Sequence, residues 1–352
     1  MIYFSRIVLV INPQSTNIQR IAIRAQELTN LFPDQTIGTV ETSLRPAQFA
    51  RQLRTALGSR ADPSDQVGLT LIAIGGGDGT VNMVLNVLLG LRPKINLAKT
   101  PLLPLWGGNA NDLASMLNGR LSGRVKLRSV VEYGQAVAVY PFRVTLTSPA
   151  SVASASTTTK PASSTTLVKS PRKITVRYAA CYASFGAIAY AADQLAKPHP
   201  PRRLLSKSTA GKLVDEMIRA WQAVLDAPTY DAEQDGQRLK IFEHVFANGS
   251  RMAKVDRLPV RLNERVFYRA TGSDHHPLFF MLRLIRGKKV GEVTDRPARF
   301  TLKERAWAQF DGEVVVLPAN TTVTIGHAKM PFYALSTKLN LPENSTDNHL
   351  AA

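Results

Sequence analysis

The chain has 352 residues and 44% apolar content, too long for one ordinary hydrophobic core and suited to two domains. Its 44 Lys and Arg against 26 Asp and Glu leave a net charge of +18, which favours a polyanion or an anionic membrane face as partner. Cys181 is the only cysteine, so an intrachain disulfide and a thiolate metal cluster are excluded and a reducing compartment fits.

The first segment, MIYFSRIVLVINP, has one Arg and an apolar core of only Ile7 to Ile11. That is too short for a secretory leader and reads as a strand. Strands are expected at Arg6 to Ile11, Gly38 to Glu41 and Leu69 to Ile74, alternating with helices at Ile18 to Leu31, Pro46 to Leu57 and Val81 to Leu91. A further strand, a glycine turn and a helix from about Asp112 follow in TPLLPLWGGNANDLASML. Such alternation predicts a parallel sheet with helices on both faces. Ligands bind where the strands of such a sheet end, so Asn12-Pro13, Thr42, the Gly75 to Thr80 turn and the Gly107 to Asp112 turn should line one crevice.

After about Val125 the pattern changes to alternating strands, such as Ala136 to Leu146 and Lys173 to Tyr182, with a helix around Leu213 to Leu225. A mostly β second domain is expected. Ser148 to Ser170 is a Ser/Thr/Ala/Pro tract with little to bury, read as a flexible insertion between two strands, and the tail after Ser336 is polar and expected to fray. The apolar run Leu278 to Ile285 is broken by Arg283 and falls far short of the ~20 residues a spanning helix needs, so any membrane contact is expected to be peripheral.

The stretch IAIGGGDGTVNMVLNVLLG, Ile72 to Gly90, holds the most informative turn. Glycines between a strand and a helix let ligand oxygens approach backbone N–H groups where the helix dipole favours negative charge, which outlines a phosphate site. A purely structural turn is the alternative. Asp78 places a like charge beside such phosphates, which makes sense if it holds a metal or takes a proton from a nucleophile.

GGDGTVNMVLN (Gly76 to Asn86) resembles the glycine-rich motif of the diacylglycerol kinase catalytic family, which includes sphingosine kinases and bacterial lipid kinases, and more distantly that of NAD kinases. VINPQS (Val10 to Ser15), GNANDLA (Gly108 to Ala114), YASFGAIAYAAD (Tyr182 to Asp193) and FDGEVV (Phe310 to Val315) resemble further family elements in the right order. The resemblance implies a Rossmann-like nucleotide domain over 1–130, a β-sandwich substrate domain over 131–320 with the insertion at 148–170, and a segment at 321–352 that returns toward the first domain. It implies ATP and Mg²⁺ as cofactors and a lipid hydroxyl as acceptor. Carried over by motif, Asn12, Pro13, Thr42, Gly76, Gly77, Gly79, Thr80, Gly108, Asn111 and Asp112 would line the nucleotide side, while Asp311 and Glu313 would return acidic groups to the cleft.

Phosphoryl transfer is mainly positioning and charge stabilisation, with a group that guides the attacking hydroxyl. Asp78 is the preferred base; Asp311 and Glu313 are rivals for that role or for holding the metal, with Asp311 the metal candidate. The chain departs from the family pattern at Asn109, at Ser15-Thr16, at Met83, and in Asn248 to Val266, which lacks the family's glycine run and so argues against a structural Mg²⁺ there. Tyr190 stands where sphingosine kinases commonly place an acid, with Asp193 three residues later, so a neutral acceptor such as diacylglycerol is favoured over a sphingoid base.

No G-x-x-x-x-G-K-[ST], H-E-x-x-H or H-R-D loop is present, and His275-His276 lacks partners at metal spacing. Nucleic-acid binding fits the charge but not the 7% aromatic content, so no specific nucleic acid is expected. A scaffold that binds nucleotide without turnover is a further alternative. The run Lys197 to Lys212, with five basic residues and no acid, suggests docking on anionic lipid headgroups, which would make the chain cytoplasmic and peripherally membrane-associated.

Overall fold

The computed structural model describes residues 4–42, 45–58, 68–91, 95–108, 111–118, 127–149, 172–197, 209–252, 258–262, 264–273, 277–286 and 290–337. Asn109, most of the Ser/Thr tract, His275-His276, the basic stretch 198–208 and the tail from 338 lie outside the described residues.

The first third alternates as its periodicity predicts: β1 (Phe4–Ile11), α1 (Ile18–Leu31), β2 (Ile37–Glu41), α2 (Pro46–Leu57), β3 (Leu69–Gly75), α3 (Asp78–Gly90), β4 (Leu102–Pro104), α4 (Asp112–Asn118) and α5 (Leu127–Tyr133). Pro46 opens α2 and Gly58, at φ 64°, closes it in the left-handed conformation that glycine adopts without strain. The strands β2, β1, β3 and β4 pair in parallel in that spatial order. Alternate residues serve opposite faces: Ile7, Leu9 and Leu71 pack with Leu28 of α1 and Val130 of α5, whereas Val8, Val10 and Ile72 pack with α2 and α3.

The rest is β5 (Gln135–Val139), β6 (Phe142–Pro149), β7 (Arg172–Ala179), β8 (Tyr182–Gly186), α6 (Ala187–Ala196), α7 (Thr209–Leu225), β9 (Tyr230–Gln234), β10 (Gln237–Ala247), β11 (Phe267–Ser273), α8 (Pro277–Ile285), β12 (Gly291–Thr294), β13 (Ala298–Leu302), β14 (Ala306–Phe310), β15 (Glu313–Leu317), β16 (Thr322–His327) and β17 (Phe332–Ser336). Eleven of these strands form one large antiparallel sheet. It curls back on itself, because Phe185 of β8 meets Phe300 of β13 at 5.2 Å although two strands stand between them. Phe142, Phe246, Phe267 and Phe310 complete that aromatic core.

Two strand expectations are corrected. Ala136 to Leu146 is not one strand: Pro141 cannot donate to a ladder, the chain breaks there, and β5 joins the first sheet while β6 joins the second. Lys173 to Tyr182 is likewise interrupted at Ala180-Cys181, whose N–H groups turn toward the Asp311 carboxylate instead of a neighbouring strand. The chain therefore leaves the first sheet at Tyr140-Pro141 and returns after His327, with β17 parallel to β4 and antiparallel to β5. Strands β5 and β16 thus fall on the other side of the boundaries at 130 and 320 expected from sequence.

Candidate active site

Because β2, β1, β3 and β4 are adjacent, the loops at their C-terminal ends meet. Asn12 donates its backbone N–H to Gly75 O at 2.8 Å and its Nδ2 to Thr80 Oγ1 at 3.1 Å, while its Oδ1 accepts Gln14 N–H at 3.0 Å and so folds the chain around Pro13. Thr42 is tied to Ile11 O at 2.9 Å. The turn after β4 packs on the turn after β3: Gly107 N–H donates to Gly76 O at 3.0 Å, and a Cβ on Gly77 would sit 2.9 Å from Gly108 Cα. The two glycines are therefore required for backbone to touch backbone. Asn111, at φ 53°, closes the second turn by exchanging two hydrogen bonds with Gly108.

Gly77 caps α3 in an extended conformation; its carbonyl accepts the N–H groups of Thr80 and Val81 at 3.0 and 3.1 Å, which leaves the Asp78 and Gly79 N–H groups at the helix start as donors for a ligand. With the glycines, Asn12 and Thr80 beside them, these donors fit the phosphates of a nucleotide.

Asp78 lies almost fully buried at this helix start and does something the motif does not announce. Its Oδ2 accepts Asp112 N–H at 3.0 Å and its Oδ1 accepts Leu113 N–H at 3.3 Å, so it caps α4 from a neighbouring element. Burial first, and then the charge of Asp112, push its pKa up to about 7. Asp112 in turn forms a buried ion pair with Arg251, Nε to Oδ1 at 2.9 Å.

The acidic elements from the second domain arrive on the other side. Asp311 and Gly312, at φ 47° and 92°, make a two-residue hairpin turn between β14 and β15, with Phe310 paired to Glu313. The turn abuts the start of α3, the Asp311 carbonyl lying 3.7 Å from where a Gly79 Cβ would be. The Asp311 carboxylate points inward. Oδ1 accepts the N–H groups of Cys181 and Tyr182 at 2.9 and 2.8 Å, and Oδ2 accepts those of Ala180 and, at 3.1 Å, Asn82 Nδ2. Burial raises its pKa to about 6 against those four hydrogen bonds.

A carboxylate offers about four acceptor positions. All four of Asp311 are taken in this arrangement, so its carboxylate serves the fold here rather than facing the cleft. Its role is to fasten the second domain's bend at residues 180–182 to α3. Glu313 is half-exposed and pairs with Arg177 of β7 at 2.6 Å, which engages one of its oxygens. Asp78 has spent two acceptor positions and keeps two, so it can still take a hydroxyl proton while held at the start of α3; Glu313 also keeps acceptor capacity, but on a half-exposed side chain paired with Arg177.

Among the described residues no group of three His, Cys, Asp or Glu side chains could hold a metal. The site fits nucleotide phosphates and does not present a protein-built Mg²⁺ cage; a Mg²⁺ carried chiefly on substrate phosphates needs none.

Four residues that sequence reasoning did not single out lock the two domains together. Asn82 Nδ2 donates to Tyr178 O at 2.7 Å, and Asn86 exchanges hydrogen bonds with the Tyr178 backbone at 2.9 Å each way. Asn248 reaches Tyr140 O at 2.7 Å and Ala180 O at 2.8 Å, and Arg251 reaches Asp112. The signal for the first two was present: Asn at i and i+4 on a helix otherwise apolar along Val81, Val84, Leu85 and Leu88 marks buried polar groups that need partners.

Residues 6–138 match the family described as the diacylglycerol kinase catalytic domain. A search of curated proteins finds no match to this chain. Among solved structures, the fold is similar to two chains provisionally described as diacylglycerol kinases from Bacillus anthracis str. Sterne. One has TM-score 0.57 at 15% identity, covering 96% of this chain and 100% of its own; the other has TM-score 0.57 at 15% identity, covering 95% and 99%. A third, described as a diacylglycerol kinase from the same organism, has TM-score 0.52 at 15% identity and covers 97% and 100%. The resemblance read from the sequence motifs is thus shown by the family match, and the architecture of a parallel-sheet domain followed by a large antiparallel one is shared.

Proposed function

We propose that this chain, whose residues 6–138 match the diacylglycerol kinase catalytic domain, transfers the γ-phosphoryl group of ATP to the hydroxyl of a neutral lipid. The observation that carries the reading is the state of Asp78: buried, held in place by two backbone N–H groups of α4, and with acceptor capacity left for a third donor. In this reading the Asp78 and Gly79 N–H groups and the Asn12–Thr80 pair hold the phosphates, and Asp78 takes the proton of the attacking hydroxyl as the new O–P bond forms and the bond from the γ-phosphorus to the β–γ bridging oxygen breaks, releasing ADP. Mg²⁺ supplies neutralising charge on the phosphates when bound.

A neutral acceptor is supported by the two residues nearest the position where a sphingoid amine would be met. Tyr190 packs edge-on against Trp307 at 5.0 Å, and the Asp193 carboxylate pairs with Lys197 at 3.0 Å, so of these two residues one is not an acid and the other already has a cationic partner. Incubation with labelled ATP, Mg²⁺ and a panel of lipid alcohols, read by chromatography of the extracted lipid, tests the proposal. Label in diacylglycerol but not in sphingosine is the expected result. ATP binding with no acceptor-dependent ADP release would establish the scaffold reading instead.

A further inference from the structure

Helix α7 carries apolar residues on two faces, one packed and one exposed. A surface helix normally turns its apolar stripe inward. Here Asp215 is turned in, only 4% exposed, and forms an ion pair with Arg219 at 2.7 Å, while Ala223 and Val224 pack with Ala187 and Ala191 of α6. The outward face carries Val214, Met217, Trp221 and Leu225, at 44, 64, 36 and 48% exposure. Spacings of three, four and four residues place these side chains in one stripe. α6 beneath it exposes Leu195 and contacts β14 and β15, the hairpin that holds Asp311. The stripe therefore lies one helix away from the acidic turn of the candidate site.

We propose that this outward stripe of α7 docks on an anionic lipid bilayer, lying in the interface with Met217, Trp221 and Leu225 below the headgroups. The proposal names where the chain would meet its substrate's membrane and rests on the lipid-kinase reading for its purpose, though not for its test. Charge decides between the occupants such a face could take. A second copy would bring another +18 and repel, whereas an anionic surface attracts a chain with 44 basic and 26 acidic residues. Trp and Met suit the interface chemically, since indole combines an apolar body with one N–H donor and thioether is soft and unbranched. No described helix is long and apolar enough to cross a membrane, and an in-plane amphipathic helix needs no such length.

The test is cosedimentation of the full chain with phosphatidylcholine vesicles, with and without phosphatidylglycerol, at about 0.1 M salt. The parent is expected to pellet with the anionic vesicles, and a Met217→Gln, Trp221→Gln, Leu225→Gln variant with unchanged thermal midpoint is expected to bind them roughly tenfold or more weakly. Brominated acyl chains should quench fluorescence of the vesicle-bound parent, and that quenching should fall sharply in Trp221→Phe, whose remaining emission comes from Trp106 and Trp307, a readout that does not depend on the triple variant folding. Equal vesicle binding by variant and parent, or quenching undiminished in Trp221→Phe, overturns the proposal. So does a parent dimer, abolished in the variant, with no vesicle binding by either, which would make a second copy the occupant. Because binding is read without ATP or acceptor, docking by an inactive chain would leave this inference standing and remove the kinase reading. Turnover of detergent-dispersed lipid without vesicle binding would do the reverse.

Discussion

Arg251 and Asp112 come from different domains and form a buried ion pair, Nε to Oδ1 at 2.9 Å, with side-chain exposures of 10% and 0%. One hydrogen bond links this contact to the candidate base, because the same Asp112 donates its backbone N–H to Asp78. Arg251 both neutralises the acid that presses on Asp78 and fixes the loop after β10 to the start of α4. Removing one partner of a buried pair leaves an uncompensated charge, at a cost of about 3–5 kcal/mol. Arg251→Ala is therefore expected to lower the thermal midpoint clearly, and a double-mutant cycle with Asp112→Asn should return a large coupling. Strictly additive losses would show that the two side chains do not depend on each other.

Asp78→Asn is expected to reduce turnover by more than ~10²-fold with a smaller change in stability. The substitution keeps volume, yet an amide has only one oxygen to accept the N–H groups of Asp112 and Leu113, so some loosening of α4 accompanies it. The pH dependence has a definite sign. A base must be ionised, and Asp78 titrates near 7, so kcat in the parent should rise with pH and level off above that value. A profile with no limb near 7 would remove Asp78 from the role, with half-exposed Glu313 the next to examine.

The glycines of the motif are not equivalent. A Cβ at Gly77 would press on Gly108 backbone at 2.9 Å, so Gly77→Val should lower both ATP affinity and thermal midpoint as the two turns part. A Cβ at Gly79 would meet nothing closer than 3.7 Å. Gly79→Ala should therefore keep the parent's stability while weakening ATP, if phosphates occupy the space in front of α3. Calorimetric titration and thermal unfolding separate the two variants, and unaltered ATP affinity in both would make this a structural corner only.

Much of this was readable from residue order. The alternation of strand and helix, the convergence of Asn12, Thr42, Gly76 to Thr80 and Gly108 to Asp112, and the family motifs all rest on local pattern, and local pattern survives folding. What could not be read were facts of pairing at long range. Asp311 looks like a catalytic acid in FDGEVV, and only the bend at residues 180–182, some 130 positions earlier, shows that its acceptor positions are filled. Arg251 has no motif to announce it, because its partner lies 139 residues away. The apolar residues of α7 were legible as a helix, but period alone cannot tell which face turns to water.

Glu243 supplies the last prediction. It is fully buried on β10, and its carboxylate accepts Phe185 N–H at 3.1 Å and Ile188 N–H at 2.7 Å, capping α6 from a neighbouring strand across Gly186. Burial pushes its pKa up to about 8 in spite of those two hydrogen bonds. Between the ordinary value of 4.5 and about 8 the folded chain holds a proton here that the unfolded chain has released. Stability change with pH follows the protons bound unfolded minus those bound folded, which is negative in this window, so Glu243 makes the fold lose stability as pH rises through it. Glu243→Gln cannot ionise and should flatten that fall. Asp78 contributes a similar slope up to about 7, but it is present in both proteins and cancels in their difference. Thermal midpoints measured from pH 5 to 9 should therefore converge or favour the parent at the acid end and favour the variant at the alkaline end. Parallel curves would mean that Glu243 stays ionised throughout, with the two backbone donors outweighing its burial.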